Sequence, residues 1–304
     1  MKISKKIRKN KTLLLQYFRD RSNEFLAVVN NEYSNTAYKK KAKKLNRLLV
    51  KAKLTLVEII EQKAKKENWN NQEILECVLM VTYCNYVVML EVRHSVWPYE
   101  YMAFSRRIGE LWEPFCKLTF NYPTNDLELF VPPLFSDVKK MLSNEIEDYI
   151  NNLNLADKEK KQLLKYYTKV WSLVMSGEIQ LELDLHFKFK GVKYVVDFKS
   201  GFGSNEKGNT NRLLLVASIY QSLEDNYKPL IFVRSAKNNN YFNILKKSGL
   251  WNAFAGKETY TELYKYSGYD IRTWINQNIN WVEDIDHNFL EHLKANKLLK
   301  YLTW

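Results

Sequence analysis

Between residues 36 and 66 the apolar positions Ala37, Leu45, Leu48, Leu49, Leu54, Leu56, Val57, Ile59 and Ile60 recur at helical spacing among lysines. That is the pattern of an amphipathic helix or helix pair. The apolar run from Cys77 to Leu90, broken only by Thr82 and Asn85, lies within a helix predicted over Gln72–Val92. It is shorter than the roughly 20 residues a bilayer requires, so it reads as a buried core helix. None of the nine glycines precedes Gly109 and only Pro98 among the prolines does, which agrees with a helical first hundred residues. A loop at Ser95–Tyr99 leads into a helix face made by Phe104, Ile108, Leu111, Trp112 and Phe115, which Pro114 is expected to end. Helical periodicity returns from Leu134 to Met175, with a break around Leu153–Asp157.

The period then changes from 3.6 to 2. From Glu178 to Lys190, Ile179, Leu181, Leu183, Leu185, Phe187 and Phe189 alternate with Gln180, Glu182, Asp184, His186, Lys188 and Lys190, predicting one long strand. Gly191 permits a tight turn into a second strand, Val192–Ser200, so the two form a predicted antiparallel hairpin. A glycine-rich loop, a helix over Asn211–Asp225 and a third strand over Leu230–Ser235 follow; the rest reads as helical. Strand, strand, helix, strand implies a mixed sheet reached by a crossover connection, an α/β (α+β) class of fold.

With 46% hydrophobic and 14% aromatic residues, the 304-residue chain is not a disordered one. Nearly all of its formal net charge of +13 falls in the first 70 residues, and the remainder is balanced. Such a one-sided basic segment attracts a polyanion, nucleic acid or an anionic membrane, although a solvated basic helix face reads the same way. The basic start precedes only Leu13–Leu15 as an apolar stretch and no cleavage site follows, so export is not expected. Cys77, Cys84 and Cys116 show neither metal-ligand spacing nor an even count, and they fit core thiols in a reduced cytoplasm.

The charged positions of the hairpin carry the chemistry. Asp184 shares a strand face with Glu182 and His186, and Asp197 shares one with Lys199. Two carboxylates on adjacent strands repel unless a cation lies between them, and oxygen ligands without sulfur point to Mg²⁺. A lysine beside them orients water and offsets charge on a phosphate, which is equipment for metal-assisted phosphodiester hydrolysis. In Asp184 and, after twelve intervening residues, Asp197-Phe198-Lys199, the sequence resembles the PD-(D/E)xK nuclease superfamily, most closely type II restriction endonucleases. The resemblance covers roughly residues 103–235. Leu183 stands where the family name has proline, and one strand of the family's α-β-β-β-α-β core must lie elsewhere, with Leu127–Val131 the candidate.

The resemblance implies a restriction-endonuclease-like core with a central mixed β-sheet flanked by helices. On it, Asp184, Asp197 and the Phe198 main-chain carbonyl bind Mg²⁺, and Lys199 positions the attacking water. It also implies an additional glutamate from a preceding helix: Glu113 is preferred, with Glu145 and Glu147 as rivals. Two domains follow, a basic helical region over 1–95 and a nuclease core with a C-terminal helical extension over 96–304. Ser204, Asn205, Lys207, Asn209 and Arg212 suit phosphate oxygens, as backbone N–H groups of a glycine-rich loop at a helix N-terminus do. Arg106, Arg107 and the polar run Lys237–Tyr241 suit base edges or phosphates, and Lys40 and Lys44 the duplex backbone. Gly203 to Thr210 approaches the P-loop pattern, but Asn209 occupies the essential lysine position. A dinucleotide fingerprint fails because its third glycine is misplaced.

The function expected is a Mg²⁺-dependent endodeoxyribonuclease on double-stranded DNA, sequence-specific and cytoplasmic. Its expected partners are a second copy of itself and a DNA methyltransferase acting on the same site. Non-catalytic nucleic-acid binding and structure-specific repair cleavage remain the alternatives.

Overall fold

The computed structural model describes residues 4–174, 180–203, 206–223 and 226–304, with the side chains of 171–174 excepted. A 3-10 turn at Lys5–Lys9 precedes α1 (Lys11–Glu32), α2 (Tyr38–Glu67) and α3 (Asn71–Val96). A capping box starts α3: the Asn70 side chain accepts from the Glu73 N–H at 2.9 Å, and the Glu73 carboxylate accepts from the Asn70 N–H at 3.1 Å. By length and composition α3 could span a membrane, yet 83% of its most apolar stretch is buried within the protein. A helix apolar on every side needs neighbours on every side, and α1, α2 and α4 (Tyr101–Asn121) provide them.

Pro114 does not end α4, contrary to the sequence expectation; the helix runs on to Asn121. Proline removes the hydrogen bond to the carbonyl four residues back and crowds that carbonyl with its ring. At an exposed position, that cost is offset by the burial of Leu111, Trp112, Phe115, Cys116 and Phe120 on the inner face.

One open sheet of five strands has the order β1 (Leu127–Leu129), β2 (Leu185–Phe189), β3 (Val192–Lys199), β4 (Tyr227–Val233) and β5 (Asn252–Ala255). The first three strands are antiparallel and the last three parallel. Helices α5 (Phe135–Asn152) and α6 (Asp157–Val174) lie between β1 and β2, α7 (Lys207–Ser222) between β3 and β4, and α8 (Asn240–Lys247) before β5. The chain closes with α9 (Lys257–Ser267), α10 (Ile271–Asn278), α11 (Trp281–Asp284) and α12 (His287–Ala295). It is a mixed α and β protein with a single mixed sheet among the described residues. β1 falls inside the Leu127–Val131 segment singled out above, whereas β5 is a strand the sequence did not announce.

Two cores sandwich the sheet. Val196, Phe198, Leu230 and Phe232 face Trp112 of α4 and Tyr260 of α9, in a cluster continuous with the N-terminal helices. Val195, Ile231 and Val233 face Leu213, Val216, Ala217 and Tyr220 of α7 and Leu245 of α8. The single long strand expected over Glu178–Lys190 is not formed: β2 starts at Leu185, the chain bends at Asp184, and residues 178 and 179 lie outside the described residues. Leu181 and Leu183 belong to the α7-side core and Leu185 and Phe187 to the α4-side core, so the inward face switches at the bend. The three cysteines are free and buried, and burial pushes the Cys77 thiol up to about 11.

His94, stacked on Phe289 at 4.6 Å, accepts from the Tyr99 N–H at 3.2 Å. Burial lowers its pKa to about 4; adjacent His292 and Arg93 reinforce the shift and Asp286 opposes it. A depressed histidine pKa leaves the native state intact above the unfolded value near 6.5 and costs stability as pH falls from there toward 4. The expected result is a thermal midpoint that drops over this window, by roughly 1 kcal/mol from His94 after allowing for its partial exposure. His94→Phe keeps the stack and should flatten that part of the profile; an unchanged slope in thermal melts would assign the pH dependence elsewhere.

Candidate active site

The β2–β3 hairpin turns on two residues in the left-handed region, Lys190 (φ 50°) and Gly191 (φ 78°). A turn with both central residues at positive φ matches the twist of the flanking strands and fixes the register. Leu185 pairs with Val196 and His186 with Val195, so Asp184 stands across from Asp197 at the end of the ladder. The bend that carries Asp184 is braced twice. Its Oδ2 accepts from the Phe198 N–H at 2.7 Å, and the buried His186 accepts from the Leu183 N–H at 3.2 Å through Nε2. His186 is thus a structural residue that re-aims the chain, and burial holds its pKa down at about 4.

Asp197 is 2% exposed on the α7 side of the sheet, and Lys199 shares that side two residues on. The Lys199 ammonium contacts Asp197 Oδ2 as an ion pair and donates to the Phe198 carbonyl at 3.3 Å. Arg212, reaching across from α7, places Nη2 at 3.4 Å from Asp197 Oδ1. Burial raises the Asp197 pKa; Lys199 and Arg212 pull it down, and Asp184 pushes it further up. Asp197 Oδ2 is a buried carboxylate oxygen without a well-directed hydrogen bond, its negative charge faced by the lysine. Such an oxygen, a carboxylate across from it and a carbonyl beside it fit a hard divalent cation. Among the described residues no three His, Cys, Asp or Glu side chains come together as a metal group. That donor set suits Mg²⁺, which is commonly held by one or two carboxylates and keeps several waters.

The other sequence candidates are dispersed. Glu113 rides on α4, against the opposite side of the sheet from Asp197, and its carboxylate is held by Lys117 at 2.9 Å. Glu145 and Glu147 are exposed on α5. Arg106 and Arg107 both pair with Glu110 of their own helix, at 2.7 and 3.4 Å, although the Arg106 side chain is 82% exposed. In the glycine-rich loop Ser204 and Asn205 lie outside the described residues, Lys207 is exposed, and Asn209 donates to Glu206 at 2.9 Å. Lys40 is exposed and Lys44 sits 3.5 Å from Glu32, whereas Lys41 is buried and donates to Asn30 at 2.8 Å.

Pattern reading proposed a phosphate role for Arg212 and missed its contact with Asp197, because that contact joins a helix to a strand fifteen residues away. Two residues of the polar run after β4 make contacts within the protein. Asn238 accepts from the Phe202 N–H at 2.9 Å and donates to the Ser235 carbonyl at 2.7 Å, while the Asn239 amide donates to the Gly203 carbonyl. Both asparagines therefore brace the loop that follows Lys199. No protein-family model matches the chain, and no curated protein is significantly similar to it.

Proposed function

We propose that the protein is a Mg²⁺-dependent endodeoxyribonuclease that hydrolyses phosphodiester bonds in double-stranded DNA and acts as a type II restriction enzyme. The observation that carries this reading is the opposed pair Asp184 and Asp197 with the Lys199 ammonium touching both Asp197 Oδ2 and the Phe198 carbonyl. The order α4, β1, β2, β3, α7, β4 supports it, being the order the PD-(D/E)xK resemblance implies, with α5 and α6 inserted after β1.

Asp184, Asp197 and the Phe198 carbonyl would hold the ion. Bound Mg²⁺ polarises the phosphoryl oxygen and lowers the pKa of a coordinated water. Lys199 contributes a charge that orients the attacking water and offsets negative charge growing on the phosphate. Arg212 holds the far oxygen of Asp197 and so fixes the carboxylate's rotation. Cutting both strands at a palindrome calls for a two-fold pair of copies, and a cognate DNA methyltransferase would protect the same site in a cytoplasmic restriction system.

A covalently closed plasmid tests the reading. Conversion to linear DNA in Mg²⁺ and none in EDTA is the expected result; a shifted but uncut plasmid under both conditions would replace it with the non-catalytic binding alternative. The basic face of α2 provides sequence-independent affinity. Neutralising exposed Lys39, Lys40 and Lys43 should lower affinity across all DNA sequences and reduce the salt slope by about two to three, at roughly 0.9 for each phosphate that a lysine no longer neutralises. An unchanged slope in fluorescence anisotropy would remove α2 from the DNA interface.

A further inference from the structure

Arg234 follows β4 directly and is largely buried, and none of the described ion pairs joins it to a carboxylate. Its Nη2 donates to the Ser200 hydroxyl at 3.1 Å, its Nη1 to the Thr303 carbonyl, and its Nε is buried without a hydrogen-bond partner. Burial pulls its pKa down, with only the Tyr260 hydroxyl opposing. A desolvated guanidinium without a counter-anion among the described residues is costly, and its charge calls for an explanation.

The surroundings supply one. Ser200 comes immediately after Lys199 and is exposed. The Arg234 N–H donates to the Lys199 carbonyl at 2.9 Å and the Ser235 N–H to the Ser200 carbonyl at 3.1 Å, so the two strand ends are locked together there. Because Ser200 Oγ accepts from arginine, its own hydrogen is left to donate outward. α4 passes close above: a Cβ on Gly109 would stand 2.4 Å from Ser200 Oγ, so only glycine lets the helix approach. One turn earlier on that helix lies the exposed Arg106, shared with Glu110. Cationic and hydroxyl donors thus gather at the carboxyl ends of the parallel strands β3 and β4, where open sheets hold ligands.

We infer that Ser200 and Arg234 form a phosphate subsite at the carboxyl ends of β3 and β4, on the α4 side of the sheet rather than the α7 side that holds Asp197, taking an oxygen of a backbone phosphate other than the one that is cut. The inference rests on the nuclease reading for the identity of the ligand, and its test is separable from that reading. Arg234 supplies charge that none of the described carboxylates pairs with, and Ser200 supplies the directed hydrogen bond. This is a positioning role, since neither group reaches the reacting atoms.

The test is the affinity of a fluorophore-labelled duplex over a salt series in Ca²⁺ without Mg²⁺, for wild type, Ser200→Ala, Arg234→Lys and Arg234→Met, with a thermal melt of each. Arg234→Met is expected to lose about tenfold in affinity and about one in salt slope, and Ser200→Ala several-fold in affinity at full slope. Arg234→Lys should retain the slope, and the melting temperature of Arg234→Met should hold or rise. Unchanged affinity in both Ser200→Ala and Arg234→Met would overturn the subsite, as would an Arg234→Met variant that binds normally but melts early. If Arg234→Met fails to fold, Ser200→Ala decides alone. Altered binding in a protein that never cuts DNA would leave the subsite standing and remove the nuclease reading.

Discussion

Asp197→Ala is expected to reduce DNA cleavage by about a thousandfold or more, the loss of several kcal/mol of transition-state charge stabilisation, while duplex affinity in Ca²⁺ changes little. Asp197 is the buried member of the pair and faces two cations, Lys199 and Arg212, while Asp184 is already engaged by the Phe198 N–H and does not take over its place. Asp197→Asn preserves the shape, removes the charge and should be equally inactive, which separates loss of a ligand from loss of packing. Lys199→Ala should cost about a hundredfold or more, in the range for a positioned proton-transfer or water-orienting group. Glu113→Gln should stay within a few-fold of wild type in the same assay, because its carboxylate is engaged by Lys117 across the sheet from Asp197. A Glu113 loss as deep as that of Asp197 would bring α4 into the centre and revise the geometry of the site.

A second large effect is expected on stability. Asp284, 6% exposed on α11, takes Lys11 Nζ at 2.9 Å and the Tyr83 hydroxyl at 2.6 Å on the same Oδ2. Further along α1, Arg19 donates to the buried Glu91 at 2.7 and 3.1 Å and to the Asp284 carbonyl at 2.7 Å, and Glu91 also accepts from the Asp286 N–H at 2.8 Å. Burial raises the Glu91 carboxyl pKa despite Arg19, an indication of how dry the clamp is. These contacts tie the first helix and the C-terminal helices to α3. Asp284→Ala strands an ammonium and a buried hydroxyl, and is expected to cost about 3 kcal/mol and to lower the melting temperature by roughly 5–10 °C. The paired change Lys11→Met with Asp284→Leu should recover only part of that loss, because it removes the stranded ammonium and leaves the Tyr83 hydroxyl unpaired. A single substitution within about 0.5 kcal/mol of wild type in chemical unfolding would show that the clamp contributes nothing net.

What could be read from the sequence followed from local pattern. The strict alternation around Gly191 gave the hairpin, and with it the opposition of Asp184 and Asp197; the long apolar run from Cys77 to Leu90 gave α3; the expected break around Leu153–Asp157 separates α5 from α6. The switch of face at Asp184 was illegible, since alternating leucines look the same on either side of a bend that only tertiary contacts and His186 impose. β5 was missed because four residues bounded by Gly249 and Gly256 give too few periods to recognise. Pro114 misled because burial on the inner face of α4 outweighed a local rule. Arg212 meets Asp197 through a crossover helix and Arg234 meets Ser200 through strand ends, and neither spacing nor composition encodes such meetings.

The nuclease assignment stands or falls on digestion of unmethylated phage DNA by the purified protein in Mg²⁺, beside EDTA and Asp197→Ala controls, resolved on a gel. Discrete fragments in the first lane and intact DNA in both controls are expected. Undigested DNA in all three lanes, or cleavage that survives Asp197→Ala, would contradict the assignment.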